Sequence, residues 1–556
     1  MSLTKIPKYI KEIGFSRVMG MKSLQEFLIE NWIFLVLLTV IISLLLIDIG
    51  VHPYIGHGEM AHYPHVASNL LEGKGYSVDY IYHFYNLKFL EGDEISHPDD
   101  YFPIGNPTLI AIFFIIFGES VFIAKITNVF LIFVLSCFIY FIIKKMYNKS
   151  IAIFTFLFTV TNVNIFSVAT WPYADIGFLL FANISLLSIY FFVKTRELKY
   201  CFWFSIFTSL SIYFKQTGLL LVPTFFVVLL YYSIKDKINI KNVIKISFVF
   251  SFIILILISP ILVREYINQG HIGFGLEVHS SMDKYGPWEE AYSLFQTEDD
   301  LPGLLPFHKY GIYTIIRADI KNIAIVFQTF LIHQAISVVI IFLALLQLFF
   351  LRDKDFEFTL PFIIYVIFYL LFLIFVWHYE TRYFIIFFPF VCFLASLCIF
   401  RNIKQFFSNH LNWIIFISLI ILIVVFPFLN YYYFTLKENK YETAILESYD
   451  WMKENIQEDA VIMTRNPWEL TFHTGIKSIV IPYTDYKETM KLVEKYDVSY
   501  IDLSFTDEIS KSVHQQNTEL IIRQQILELY LGNDTEDFEL VYENDLVYIF
   551  KIKNKS

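Results

Sequence analysis

The stretch Gly56-His57-Gly58-Glu59-Met60-Ala61-His62-Tyr63-Pro64-His65 is the most informative part of the chain for chemistry. A carboxylate such as Glu59 suits general-base work, typically worth roughly 10²–10⁴-fold in rate. The bland alternative is a solvated loop carboxylate. His62 and His65 are spaced for one helix face, and together with His57, His97 and the acidic residues they are compatible with a divalent cation. Pro64 interrupts a regular turn and no cysteine stands nearby, which favours solvated histidines or histidines that hydrogen-bond a substrate. A second carboxylate, Asp175, follows Trp171-Pro172-Tyr173-Ala174 at the mouth of an apolar segment. An ionisable group beside a membrane helix is costly and often functional, although a helix N-cap also favours Asp. Lys215, Arg264 and Arg382 flank further apolar segments. They read either as snorkelling anchors or as fixed cations for a charged ligand.

These residues need a scaffold, and the composition defines it. Of 556 residues, 56% are hydrophobic and only 17% are charged, and the mean hydropathy is +0.56. A soluble chain of this length carries far more polar surface. A bilayer core requires roughly 20 apolar helical residues, because lipid offers no partner to exposed backbone groups. Segments 32–48, 122–143, 151–169, 176–193, 201–214, 218–234, 244–263, 323–350, 358–376, 383–400 and 413–431 meet or approach that requirement, giving a polytopic all-α bundle of about eleven spans. Segment 201–214 is short, and 323–350 is long and carries His333 and Gln334.

Lys and Arg collect in alternate loops, as the positive-inside rule expects of cytoplasmic segments. Lys5, Lys8, Lys11, Arg17 and Lys22 precede the first span, and Lys144, Lys145, Lys149, Lys194, Arg196 and Lys199 follow later ones. Lys235, Lys237, Lys241, Lys245, Arg352, Lys354, Arg401 and Lys404 continue the series. The N-terminus is therefore expected in the cytoplasm and the C-terminus outside the plasma membrane. The first span reads as a permanent signal anchor, preceded by a cytoplasmic or interfacial segment, residues 1–31. The membrane domain covers 32–436, with long outside loops at 50–106 and 264–321, where substrate handling is expected. The net charge of −10 excludes nucleic acid as a partner, for want of a basic field. All four cysteines lie in apolar runs, so no disulfide framework is expected.

From residue 437 the composition becomes that of a globular domain. Helices at 444–455, 486–496 and 520–531 alternate with strands at 460–464, 478–481 and 498–503, and a hairpin at 539–542 and 546–551 ends the chain. This predicts a small extracytoplasmic α/β domain, 437–556, without a phosphate loop, nucleophile elbow or metal signature.

Glu59 with Tyr63 four residues later, Ala67, the turn Leu70-Leu71-Glu72-Gly73-Lys74-Gly75, the opening Pro103-Ile104-Gly105-Asn106-Pro107 and Phe117-Gly118 form an ordered set. The set resembles the GT-C superfamily of polytopic glycosyltransferases, in the branch of the dolichyl-phosphate-mannose–protein mannosyltransferases and lipid A aminoarabinose transferases. Glu59 stands where that branch carries Asp, and Met60 where it carries Glu. Asp175 resembles its second acidic residue, Lys215-Gln216-Thr217-Gly218 its basic residue before an apolar helix, and Thr381-Arg382-Tyr383 its Arg-Tyr motif. The resemblance covers roughly residues 30–400.

What the resemblance implies is a polyprenyl-phosphate-linked sugar donor in the membrane lipid and an acceptor hydroxyl. Glu59 and Asp175 are then the catalytic carboxylates, and Lys215, Arg382 and Arg264 the cations for the donor phosphate. His57, His62, Tyr63, His65 and His97 are substrate-binding candidates. The resemblance implies no definite cofactor, and a divalent cation is compatible with the site. Two rivals stand beside this expectation: a transporter or flippase of lipid-linked glycans, and a non-catalytic GT-C-like protein. A transporter places ionisable or broken segments near the bilayer midplane, whereas here the charges gather at expected outer helix ends.

Overall fold

The computed structural model describes residues 24–82, 94–99, 102–237, 239–269, 307–331, 338–375, 380–407, 409–436, 440–481, 486–504 and 537–553. The chain opens with α1 (Leu24–Val51) and α2 (Glu59–Leu71), then the short strands β1 (Ser77–Val78), β2 (Tyr80–Ile81) and β3 (His97–Pro98). Helices α3 (Gly105–Phe117), α4 (Val121–Met146), α5 (Lys149–Val160), α6 (Val163–Ala169), α7 (Asp175–Thr195) and α8 (Leu198–Phe214) follow. A 3-10 turn (Gln216–Leu220) leads into α9 (Leu221–Lys235), and then come α10 (Ile240–Gln269), α11 (Phe307–Leu331), α12 (Val338–Phe349) and α13 (Asp353–Phe375). A second 3-10 segment (Thr381–Phe387) precedes α14 (Phe388–Leu397), a π-helical turn (Cys398–Ile403) and α15 (His410–Thr435).

Among the described residues eight helices are long and apolar enough to cross a membrane, and a ninth forms if α5 and α6, bent by 65°, count as one span. The break has a local cause. Asn162 accepts hydrogen bonds from the backbone N–H of Asn164 and Ile165 at 3.0 and 3.2 Å, so it caps a new helix where the old one stops. The expected eleven spans also include 201–214, which is helical within the 17-residue α8, and 323–350, which is divided between α11 and α12. Residues 332–337, with His333 and Gln334, lie outside the described residues, as do residues 1–23 with their basic cluster and residues 270–306 of the second long loop. Ile244, Phe248, Phe252 and Leu255 on α10, and Leu419, Leu422 and Phe426 on α15, are exposed. Apolar surface of that extent is a liability in water and the ordinary state in lipid.

The C-terminal part begins with α16 (Lys440–Asn455) and continues through β4 (Val461–Thr464), α17 (Pro467–Thr474), β5 (Lys477–Val480), α18 (Tyr486–Lys495), β6 (Val498–Ser504), β7 (Phe538–Glu543) and β8 (Val547–Ile552). The strands expected from sequence are present within a residue or two, and the expected helix 520–531 lies outside the described residues. The six-stranded sheet runs in the order β2-β5-β4-β6-β8-β7. Its edge strand, β2, comes from the first long loop and pairs in parallel with β5, Tyr80 opposite Ser478 and Ile81 opposite Ile479. The C-terminal layer is thus completed by the segment that follows α2.

Candidate active site

Glu59 is the first residue of α2, and Gly58 occupies the N-cap with φ 58° and ψ −122°, a conformation that a side chain disfavours. The carboxylate meets Arg382 in a two-pronged pair: Nη1 donates to Oε2 and Nη2 to Oε1, each at 2.9 Å. Such planar fork geometry is the strongest form of carboxylate–guanidinium contact. Arg382 also holds Glu380 through Nε, lies 3.8 Å from Asp175 Oδ2, and sits 4.6 Å above the Tyr173 ring. On the other side of Asp175, Lys215 Nζ donates to Oδ1 at 2.5 Å and stands 4.1 Å over the Tyr383 ring. The four residues Glu59, Asp175, Lys215 and Arg382 therefore join one network, although they come from four distant parts of the chain.

Local packing explains the convergence. Asn128 on α4 donates to the carbonyls of Trp171 and Tyr173 at 2.5 and 2.9 Å, and Asn106 on α3 donates to that of Pro172 at 2.7 Å. These bonds fix the loop that delivers Asp175 to the head of α7. Two residues on, Gly177 packs against Phe214, where an added Cβ would come within 2.2 Å of the ring. That close approach draws the end of α8, and Lys215 with it, against Asp175. The N-cap reading of Asp175 does not hold: Ala174 is the N-cap, without a side-chain cap bond, and the Asp175 carboxylate turns to the cations.

A second network adjoins the first. His62 Nε2 donates to Asp99 Oδ2 at 3.3 Å, and its Nδ1 accepts from the Tyr80 hydroxyl at 2.5 Å. Arg264 on α10 lies 3.8 Å from the same Asp99 oxygen and 3.5 Å from Glu265. Its Nη2 is buried and meets no hydrogen-bond acceptor among the described residues. Tyr63 is 2% exposed and feels Glu59, Asp175, Arg382 and Asp99 at once, so it stands between the two networks. Burial, with the carboxylates beside it, holds its phenol protonated far above the ordinary range.

The remaining histidines go elsewhere. His97 Nδ1 donates to the Ile95 carbonyl at 2.9 Å, and burial lowers its pKa. His57 donates to Glu469 of α17, away from the carboxylate network. His65 Nε2 accepts the backbone N–H of Asp79 at 3.1 Å, and burial lowers its pKa from 6.5 to about 4. It is therefore a hydrogen-bonded neutral ring near pH 7, despite the Asp79 carboxylate 3.6 Å away. Because the folded pKa lies below the unfolded one, the stability tied to His65 is full above pH 6.5 and is lost as pH falls towards about 4. That loss amounts to roughly 3 kcal/mol. Melting curves from pH 7 to 4 are expected to show a steeper decline for the wild type than for His65→Gln; parallel declines would overturn the assignment.

Among the described residues no group of three His, Cys, Asp or Glu side chains is placed to hold a metal ion. The histidines are engaged by Tyr80, Asp99, Asp79 and Glu469 in ways that disperse them. Asp99, Glu380, Glu265 and Glu469 are parts of these networks that sequence reasoning did not select. Signals for some were present: Glu380 lies two residues before Arg382, and Asn466-Pro467 followed by Glu469 and then Gly475 marks the start and stop of a short helix.

Fold and site together define a polytopic helical membrane protein with an acidic–basic centre where the first long loop meets the ends of α7, α8 and the Arg382 segment. Comparison with known proteins narrows this further. The family described as dolichyl-phosphate-mannose-protein mannosyltransferase matches residues 101–263. The crystal structure of ArnT from Cupriavidus metallidurans bound to undecaprenyl phosphate superposes with a TM-score of 0.58 at 10% identity, over 95% of this chain and 98% of that one. The archaeal oligosaccharyltransferase AglB from Archaeoglobus fulgidus, in complex with an inhibitory peptide and a dolichol-phosphate, gives 0.53 at 11% identity, over 85% and 69%. No curated protein matches the sequence. The fold expected from the sequence motifs is thus borne out, the superposition on ArnT extending over 95% of this chain.

Proposed function

We propose that this chain is a membrane glycosyltransferase that moves one sugar from a polyprenyl-phosphate carrier to a hydroxyl of a lipid, glycan or protein. The convergence of Glu59, Asp175, Lys215 and Arg382 at one end of the helix bundle carries the reading. The fold shared with proteins solved with undecaprenyl phosphate and dolichol-phosphate supports it.

Glu59 takes the role of base because its side chain is 22% exposed, against 3% for Asp175, so an acceptor can reach it. Arg382 occupies one lone pair on each Glu59 oxygen and leaves the others for an incoming hydroxyl. As that hydroxyl attacks the anomeric carbon, its proton passes to Glu59, the new glycosidic bond forms, and the carbon–oxygen bond to the phosphate breaks. Polyprenyl phosphate leaves with the bonding pair.

Lys215 pairs with Asp175 and Arg382 with Glu59 and Glu380, so their part is to fix the two catalytic carboxylates. Arg264, its side chain 14% exposed, takes the departing phosphate, since its Nη2 meets no hydrogen-bond acceptor among the described residues. His62 and Tyr63 lie buried between the two networks and hold the site together.

Topology follows from the helix ends. Asp175 opens α7 and Lys194 lies in its last turn, about 30 Å away at 1.5 Å per residue. Lys144 and Lys145 end α4 and Lys235 ends α9 in the same manner. The positive-inside rule then puts the site and the C-terminal domain, 437–556, on the extracytoplasmic face of the plasma membrane, with the N-terminus in the cytoplasm and eleven spans between.

The test uses the purified chain in detergent. Polyprenyl phosphate is expected to bind, as read by native mass spectrometry, and Arg264→Gln to weaken that binding by roughly 10- to 100-fold. A labelled sugar is expected to pass from its polyprenyl phosphate to an added hydroxyl acceptor. With the chain reconstituted into vesicles, a carrier that crosses intact, with no transfer, overturns the reading in favour of transport.

A further inference from the structure

We propose that the C-terminal domain sets the geometry of the catalytic carboxylate through Glu469, a positioning residue that acts on Glu59 by way of Tyr54 and His57. The inference rests on Glu59 being the base and concerns what holds it in place. Glu469 lies in the first turn of α17 and is 0% exposed. A fully buried carboxylate is retained only where partners satisfy it. Here Oε2 accepts from the Tyr54 hydroxyl and Oε1 from His57 Nδ1, with Tyr54 and His57 themselves 3.0 Å apart. Both partners sit within five residues of Glu59, in the segment that joins α1 to α2.

The neighbours of that segment close the vise. Trp468, next to Glu469, lies 3.4 Å from where a Gly58 Cβ would stand, and it packs on the Tyr80 and Tyr82 rings. His473, one helical turn beyond, stacks on Tyr54 at 5.9 Å between ring centroids. Below the turn, the N–H of Met60 bonds the His57 carbonyl at 3.2 Å, and the N–H groups of Ala61 and His62 share the Gly58 carbonyl at 3.0 Å. The side-chain anchor of His57 and the first backbone bonds of α2 thus belong to one rigid turn. The Glu59 side chain leaves that turn towards Arg382, while Glu469 grips it from the other domain. A rotation of the turn about Gly58 would swing Glu59 out of the guanidinium fork.

Three variants of the full chain test this: Glu469→Gln, which keeps the shape but can accept only one of the two bonds; Tyr54→Phe, which deletes a single hydroxyl; and Glu458→Gln, an exposed control on the same domain. Hydrogen exchange at the amides of residues 57–62 is expected to accelerate at least about tenfold in the first two and stay unchanged in the control. In the same preparations kcat is expected to fall roughly 10- to 100-fold in Glu469→Gln and less in Tyr54→Phe, with the donor KM unchanged, because misplacement by about 1 Å costs rate rather than affinity. If Glu469→Gln does not fold, Tyr54→Phe carries the test alone. Unaltered exchange at 57–62, or a raised KM at constant kcat, overturns the proposal. A wild type that transfers no sugar defeats the glycosyltransferase reading instead, and the exchange result still decides whether Glu469 holds the turn.

Discussion

Glu59→Gln is expected to lower sugar transfer by roughly 10²–10⁴-fold while leaving the protein folded and the binding of polyprenyl phosphate within about twofold. Glutamine keeps the length of the side chain and one acceptor for the Arg382 fork, so the local frame survives. What it removes is the oxygen that takes the proton from the acceptor. The effect therefore falls on kcat, with ground-state binding nearly untouched, as expected for a group that matters only in the transition state. Single-turnover transfer of a labelled sugar measures it, alongside native mass spectrometry for the carrier. Activity within threefold of wild type would remove Glu59 from the chemistry, whereas a wild type that itself transfers no sugar would leave the non-catalytic alternative standing.

Arg382 should show the largest combined effect on stability and activity. Its guanidinium touches Glu59 at 2.9 Å, holds Glu380 and lies 3.8 Å from Asp175, with its side chain only 14% exposed. Arg382→Met leaves three carboxylates facing one another with Lys215 as their nearest cation in the network. Removing one partner of a buried pair typically costs about 3–5 kcal/mol, and transfer is expected to be abolished. Arg382→Lys separates charge from shape. It restores a positive charge but has no planar fork to bridge both Glu59 oxygens, so most of the stability should return while the rate remains low. The measurements are unfolding midpoints in detergent and kcat for each variant. A lysine variant with wild-type activity would show that charge alone suffices and that fork geometry has no role.

The pairing of Arg382 with Glu59 spans 323 positions in sequence, and that of Lys215 with Asp175 spans 40. Both could be anticipated as members of a common centre because each lies beside a helix end, which in a membrane bundle leaves few places to go. Who pairs with whom could not. The sequence treats the three cations alike, whereas packing hydrogen-bonds Lys215 and Arg382 to carboxylates and leaves Arg264 Nη2, 3.8 Å from Asp99, without a hydrogen-bond acceptor among the described residues. The four loop histidines looked alike from the outside, yet each found a different partner once the loop folded against β5 and α17.

The amino-acid sequence by itself determined the membrane bundle, the approximate spans, the alternating charge of the loops and the strand order along the C-terminal part, since each of these depends on local periodicity and composition that lipid and water read directly. Only the tertiary structure decided that the first loop lends β2 to the C-terminal sheet, that α5 and α6 meet at 65° at Asn162, and that Glu469 reaches across 412 positions to His57. Contacts of that kind depend on side-chain fit between segments far apart in the chain. No local pattern encodes them, because many partners of similar chemistry exist and close packing selects one.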